Sequence, residues 1–344
     1  MGSTILSPYA PVTISISFVH TMLSGRTDAW PPLAVVMEQA GIAPELLQHP
    51  GARITAGQYV TLFRGLCDRL DDELLGLLSR PFKRGSYALM AHSALGAQNL
   101  EQAVPRIAST LRLLQDDMTL HLLADKQLAG LALRFANPVI AGHRFVPEMM
   151  LRSLWRLLDW LMGGSMSIAR FDFAFAAPSG VDSYREYFNA PLAFERPDSA
   201  FWFDAKQLKS LVRVDESGLS NFLSDPRTKC SLPRRSGDEM SAKVRSFLHQ
   251  SKPAWPDLEA MAMVLCISAG SLQKKLAKEG TSFQSLKDRL RRDMAITFLN
   301  TTTMTLTELA HLLGFSESAV FQRAFKGWTG IAPGSYRRAE MGIE

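Results

Sequence analysis

Gln273, Lys274, Lys278, Gln322, Arg323 and Lys326, with the hydroxyls of Ser271 and Ser318, stand at helical spacings in the last quarter of the chain. These side-chain types suit nucleic acid. A glutamine amide pairs bidentately with adenine, Arg or Lys addresses guanine O6 and N7, and any of the cations neutralises phosphate. Their surroundings are basic: residues 252–338 hold 12 Lys and Arg against 7 Asp and Glu, whereas 1–251 hold 26 against 24. The formal net charge of +5 over 344 residues says little by itself. Its placement favours an anionic partner at the C-terminal end.

Other chemistries find little support. His20, His49, His92, His121, His143, His249 and His311 form no HExxH or paired-ligand spacing, and neither a nucleophile elbow nor a phosphate-cradling glycine loop is present. No metal, cofactor or catalytic constellation is expected, and the chain reads as a non-enzyme. Cys67, Cys230 and Cys266 are odd in number and far apart, which suits a reducing cytoplasm better than a disulfide framework. A competing reading makes residues 1–225 a catalytic domain that accepts alkyl groups from DNA on a cysteine. None of the three stands in a Pro-Cys-His or similar reactive setting. No stretch supplies the ~20 apolar residues of a membrane span. The first 25 residues carry no formal charge, but Pro8 and Pro11 interrupt them and a basic start is missing, so they read as domain rather than signal.

The elements that must position the candidate contacts emerge from an internal repeat. Displacing the sequence by 48 residues aligns 258–281 with 306–329, with identities at Leu258/Leu306, Ala262/Ala310, Leu265/Leu313, Ser268/Ser316, Lys278/Lys326 and Thr281/Thr329. Each copy reads as a helix-turn-helix, 258–279 and 306–327. Ala262 and Ala310 are small where a second helix must cross closely. Cys266 and Gly314 occupy the turn, and Gly314 suits a left-handed residue. Ser268 and Ser316 are the predicted N-caps. Leu272 with Leu276, and Val320 with Phe325, are predicted to turn inward, leaving the opposite faces free for two major grooves. Between the copies, the apolar spacing of Leu286, Leu290, Met294, Ile296 and Leu299 predicts one long helix over 284–300. Arg289, Arg291 and Arg292 on it read as solvated or phosphate-facing.

The segment 309–338, LAHLLGFSESAVFQRAFKGWTGIAPGSYRR, resembles the DNA-binding domain of the AraC/XylS family in its Ala-x-x-x-Gly-Phe, Arg-Ala-Phe-Lys, Trp-Thr-Gly and Pro-x-x-Tyr-Arg elements. The resemblance implies that two recognition helices enter successive major grooves on one DNA face. It carries contact positions to Gly270, Gln273, Lys274, Ser318, Gln322 and Arg323. Gly270 has no side chain to read with and Ala319 is short; because unit one carries Gln273 and Lys274 on its free face while unit two has the better family signature and a blander surface beside Gln322 and Arg323, the first unit is expected to supply more base specificity and the second more anchoring.

Upstream the period changes. The spacing predicts short amphipathic helices over 30–80, helices over 99–115 and 145–162, a hairpin from 118–123 and 131–135 around Asp125-Lys126-Gln127, and strands at 168–175, 192–194 and 200–203. Trp155, Trp160, Phe201 and Trp202 read as core. Residues 182–194 and 93–103 are similar to the sensor domain of a subfamily that includes ornithine- and arginine-responsive regulators. The expected fold class is an α+β N-terminal domain followed by an all-α C-terminal domain with two helix-turn-helix units joined by a long helix. The expected boundaries are 1–225 for a sensor or dimerisation domain, 226–237 for a Pro/Gly/Arg-rich linker and 238–344 for the DNA-binding domain. Double-stranded promoter DNA is the expected partner; RNA polymerase and a small-molecule effector are further candidates. Monomer and homodimer both stay open, as does a first domain that serves only as a dimerisation platform.

Overall fold

A computed structural model describes residues 13–25, 32–125, 127–178, 180–188, 190–225 and 240–341. The predicted linker at 226–237 and Cys230 lie outside the described residues. The described chain divides into two compact units: one gathers residues 13–16, 40–59 and 240–341, the other 17–25, 32–39 and 60–225. Packing therefore does not follow chain order, because two stretches from the N-terminal part belong with the C-terminal helices.

The larger unit is α+β, as its alternating periods predict. In chain order, β1 (Thr13–Ser15) and β2 (Arg53–Thr55) belong to the other unit; α1 (Ile16–Leu23), α2 (Leu33–Gln39), α3 (Ala56–Leu70), α4 (Ser86–Ala94) and α5 (Leu100–Leu114) run alongside and after them in sequence. Asn99 caps α5 by accepting from the Gln102 N–H, and Leu100, Ala103, Val104, Ile107 and Leu111 form its buried stripe. The predicted hairpin is β3 (Met118–Asp125) with β4 (Leu128–Phe135), antiparallel with Leu120 opposite Leu133. Then come α6 (Pro138–Gly142), α7 (Phe145–Leu161), β5 (Arg170–Asp172), α8 (Val181–Phe188), β6 (Leu192–Ala193), β7 (Ser199–Asp204) and α9 (Glu216–Ser224). The sheet order is β3-β4-β7-β5-β6. The strand predicted over 168–175 shrinks to three residues in β5, because β7 pairs only across 170–172.

The core is aromatic. Phe171, Phe173, Phe188, Phe201 and Phe203 are all buried, and Phe171 and Phe188 meet edge to face at 4.9 Å. Phe201 lies in that core, whereas Trp202, on the opposite face of β7, is buried in a separate cluster with Ala132 and Ala200, and Trp155 and Trp160 are half-buried. Arg152 is fully buried on α7; its guanidinium stacks 4.6 Å from the Tyr187 ring and donates to the Tyr187 carbonyl at 2.8 Å. Stacking on aromatic faces is how a weakly hydrated guanidinium tolerates burial.

Residues 240–341 are helical: α10 (Met240–Gln250), α11 (Leu258–Val264), α12 (Ala269–Lys278), α13 (Phe283–Thr301), α14 (Leu306–Leu312), α15 (Ser318–Thr329) and α16 (Pro333–Met341). The long connecting helix is α13, started by Ser282, whose hydroxyl accepts from the Ser285 N–H. Against these helices lies the two-stranded sheet β1-β2, which the sequence did not predict. Thr13 Oγ1 donates to buried Asp293 of α13 at 2.6 Å, Arg53 Nε donates to Thr13 Oγ1 at 2.8 Å, and the Tyr336 hydroxyl of α16 donates to the Arg53 carbonyl. Gly51 sits so close that a Cβ there would stand 2.8 Å from the Thr329 carbonyl oxygen. Among the described residues no helix is long and apolar enough to cross a membrane.

Candidate nucleic-acid interface

The two helix-turn-helix units share one backbone up to the turn. Leu265, Cys266 and Ile267 donate to the carbonyls of Met261, Met263 and Ala262, and Leu313, Gly314 and Phe315 repeat this on Leu309, His311 and Ala310. Cys266 and Gly314 both adopt left-handed backbone, at φ 53° and 72°. The crossing points Ala262 and Ala310 are buried, as a close helix pair requires. Asp257 caps α11 through the Ala260 N–H at 2.8 Å, and Thr305 with Glu308 forms a capping box on α14.

Beyond the turn the two copies diverge by one residue. Ser268 caps α12 by accepting from the Ser271 N–H, as predicted. Ser316 does not cap α15: the N-cap is Glu317, with no side-chain hydrogen bond to the helix. The extra turn residue rotates the second helix by about 100° relative to the sequence alignment, since each residue advances the helix by that angle. Leu272 and Leu276 face inward on α12, but on α15 Phe321 and Phe325 do so, and Val320 is only half-buried. Phe321 packs on Phe315 and Phe325 at 5.7 and 5.8 Å, and Phe325 meets Tyr336 edge-on at 5.4 Å.

The rotation brings chemically matched side chains into equivalent places. Measured from the inward pairs Leu272–Leu276 and Phe321–Phe325, Gln273 corresponds to Gln322 and Lys274 to Arg323. All four are exposed, as are Ser271, Lys278 and Lys326, while Ser318 is half-buried. Among the described residues Gln273, Lys274, Lys278, Arg323 and Lys326 have no hydrogen-bond or ion-pair partner in the fold. Gln322 Nε2 donates to Ser318 Oγ at 3.2 Å, and the Ser271 hydroxyl accepts from Ser268 at 2.9 Å, so Ser271 is partly engaged in its own cap. Gly270 faces open space, with nothing within 4 Å of where a Cβ would lie.

The arginines of α13 divide differently from the sequence expectation. Arg291 is no solvated side chain: its guanidinium lies 4.9 Å from the Trp255 ring and 4.7 Å from the Phe315 ring, and Nη2 donates to the Gly314 carbonyl at 3.2 Å. Burial lowers its pKa from the ordinary arginine value, and Asp288 opposes the shift. Trp255 in turn donates from Nε1 to the Leu312 carbonyl at 3.0 Å. Arg292 pairs with Asp293 at 3.2 Å. Lys287 donates to the carbonyls of Trp255 and Pro256 at 3.2 and 2.9 Å, and burial lowers its pKa. Sequence reasoning missed this scaffold; Trp255, three residues before the repeat begins, was its available signal. Cys67 is buried and Cys266 exposed.

A family model for the arabinose-binding domain of AraC transcription regulators matches residues 32–211, more than half of the 344-residue chain. A helix-turn-helix domain model matches residues 261–339. The chain is 27% identical over 327 residues to the ornithine utilization regulator of Pseudomonas aeruginosa, an alignment covering 95% of this chain and 96% of that protein. It is 24% identical over 213 residues to the HTH-type transcriptional regulator VqsM of the same organism, covering 58% of this chain and 62% of that protein. The crystal structure of the transcriptional regulator CdpR from Pseudomonas aeruginosa aligns over 94% of this chain and 97% of that chain, at 18% identity and a TM-score of 0.35. With paired helix-turn-helix units behind an arabinose-binding-type domain, the chain belongs to the AraC family of transcription regulators.

Proposed function

We propose that Gln273 and Lys274 of α12, and Gln322 and Arg323 of α15, read base edges in two successive major grooves, with Ser271, Ser318, Lys278 and Lys326 contacting the flanking backbone. The observation that carries this reading is the matched Gln-Lys and Gln-Arg pair on two exposed faces, each set at the same place relative to an inward apolar pair. Glutamine beside a cation offers an adenine reader next to a guanine or phosphate reader. Apart from Gln322, which donates to Ser318, these Gln, Lys and Arg side chains give up no intramolecular hydrogen bond on meeting DNA.

In this reading residues 1–225 form the effector-responsive domain, 226–237 the linker and 238–344 the DNA-binding domain, in a cytoplasmic protein. RNA polymerase is a further partner once promoter DNA is bound, and the protein acts as a monomer or a homodimer. The discriminating experiment selects the operator from a random duplex pool and titrates it against Gln273→Ala and Lys274→Ala. Each variant should lose about 1–3 kcal/mol on the operator and much less on unrelated duplex. Equal losses on both duplexes would move these side chains to the phosphate backbone.

A further inference from the structure

Within residues 60–225, helices α3, α4 and α7 and the segment 73–84 line an open concavity. Small-molecule sites are concave and mainly apolar with a few placed polar groups. The floor here fits that description: Phe63, Phe82, Met149 and Met150 line it and are all buried. Two methionines side by side make an adaptable wall, since the unbranched thioether side chain re-packs around different apolar shapes. Tyr87 supplies a fixed polar group. Its hydroxyl donates to the Ser153 carbonyl at 3.0 Å, and burial pushes the phenol far up, so it stays protonated and keeps a lone pair for an incoming donor.

The charges at this concavity do not cancel in their engagements. Glu73 is satisfied, because its two oxygens accept the backbone N–H groups of Gly85 and Tyr87 at 2.9 Å each. Asp68 is taken by Arg84 at 3.2 Å. Arg64, one residue after Phe63 on α3, is exposed and has no hydrogen-bond or ion-pair partner among the described residues. An entering molecule therefore meets one uncommitted guanidinium above an apolar floor. A guanidinium offers a planar fork that matches a carboxylate bidentately.

We infer that this concavity is a ligand site for a small amphipathic monocarboxylate, with the carboxylate on Arg64 and the apolar body on Phe63, Phe82, Met149 and Met150. Residues 73–84 carry the link to the rest of the unit, because buried Asp72 accepts from the backbone N–H groups of Leu74 and Phe82, pinning both ends of that segment. The site deepens, and rests on, the effector-responsive reading of this domain.

Octanoate is the probe, titrated calorimetrically into the full-length protein, with octan-1-ol and octylamine as controls. Octanoate should bind saturably and raise the melting temperature. Octan-1-ol should bind at least tenfold more weakly and octylamine not at all. Arg64→Ala should weaken octanoate at least tenfold and Arg64→Lys should recover part of that loss; both sit on an exposed position and keep the fold. Met150→Trp fills the floor and should abolish binding. Octan-1-ol binding as tightly as octanoate, unchanged affinity in Arg64→Ala, or no saturable binding at millimolar octanoate would each overturn the assignment. Duplex binding of the same preparations without octanoate separates the two readings: lost octanoate binding with DNA binding intact overturns this site alone, and lost DNA binding in the wild type overturns the regulator reading.

Discussion

Cys266 and Gly314 hold the same place in the two units and the same left-handed backbone, yet different constraints act on them. At Gly314 a Cβ would stand 2.5 Å from Trp255 Cδ1 and 3.1 Å from Arg291 Nη2, so the aromatic-guanidinium scaffold has room only for glycine. Gly314→Ala should destabilise by about 2–3 kcal/mol, combining left-handed strain with overpacking against a ring. Cys266 is exposed, and its substitution acts through the backbone alone. Cys266→Gly should therefore stabilise by about 0.5 kcal/mol, the relief of ~1–2 kcal/mol of strain less ~0.4–1 kcal/mol of added unfolded-state entropy. Urea unfolding of the two variants checks the opposite signs, and two losses of similar size would refute the distinction. The glycine was legible in the sequence, but its neighbours were not. Trp255 and Arg291 lie 59 and 23 residues away, and no periodicity brings them to the turn.

At the scale of elements, the inward face of α15 shows how little a repeat alignment constrains rotation. The alignment paired Gln273 with Phe321, an exposed residue with a core one, because it could not detect one extra residue after the turn. The period of each helix was legible; its phase was set by where Phe321 and Phe325 found partners. Helix α7 makes a related point, since it is apolar on one side in sequence yet buried almost all round, with Glu148, Arg152 and Asp159 buried on it. Glu148 accepts a hydrogen bond from the Tyr184 hydroxyl, and burial, opposed by that bond and by Arg144, pushes its carboxyl up to about 8. A carboxyl raised in the folded state binds more protons there than in the unfolded chain, so stability falls as pH rises from about 4.5 to about 8. Glu148→Gln, neutral throughout, should flatten that slope and remove a loss on the order of 1–4 kcal/mol across the window. Unfolding midpoints measured at pH 5, 6, 7 and 8 test this, and an unchanged slope in the variant would sink it.

At the scale of the whole molecule, the smaller unit is assembled from three separated stretches of chain. Asp293 is its meeting point: 3% exposed, it accepts from Thr13 and pairs with Arg292, while Arg53 reaches the same threonine. Asp293→Ala leaves buried cationic and hydroxyl groups without their acceptor and should cost about 3 kcal/mol. Hydrogen exchange should rise in residues 13–16 and 53–55 together with α13, and a rise confined to α13 would show that the stretches are not coupled. Sequence alone determined the helix-turn-helix pair, the long helix between them, the β3–β4 hairpin and the polar side-chain types on the second helix of each unit. These are local properties, written in spacings of two, three and four residues that a short window contains. Only the tertiary structure decided which face of α15 turns outward, that Arg291 is a wedge rather than a phosphate contact, and that β1 and β2 pack with the C-terminal helices. Each depends on a partner far away in sequence, where steric fit and desolvation, rather than periodicity, select the arrangement.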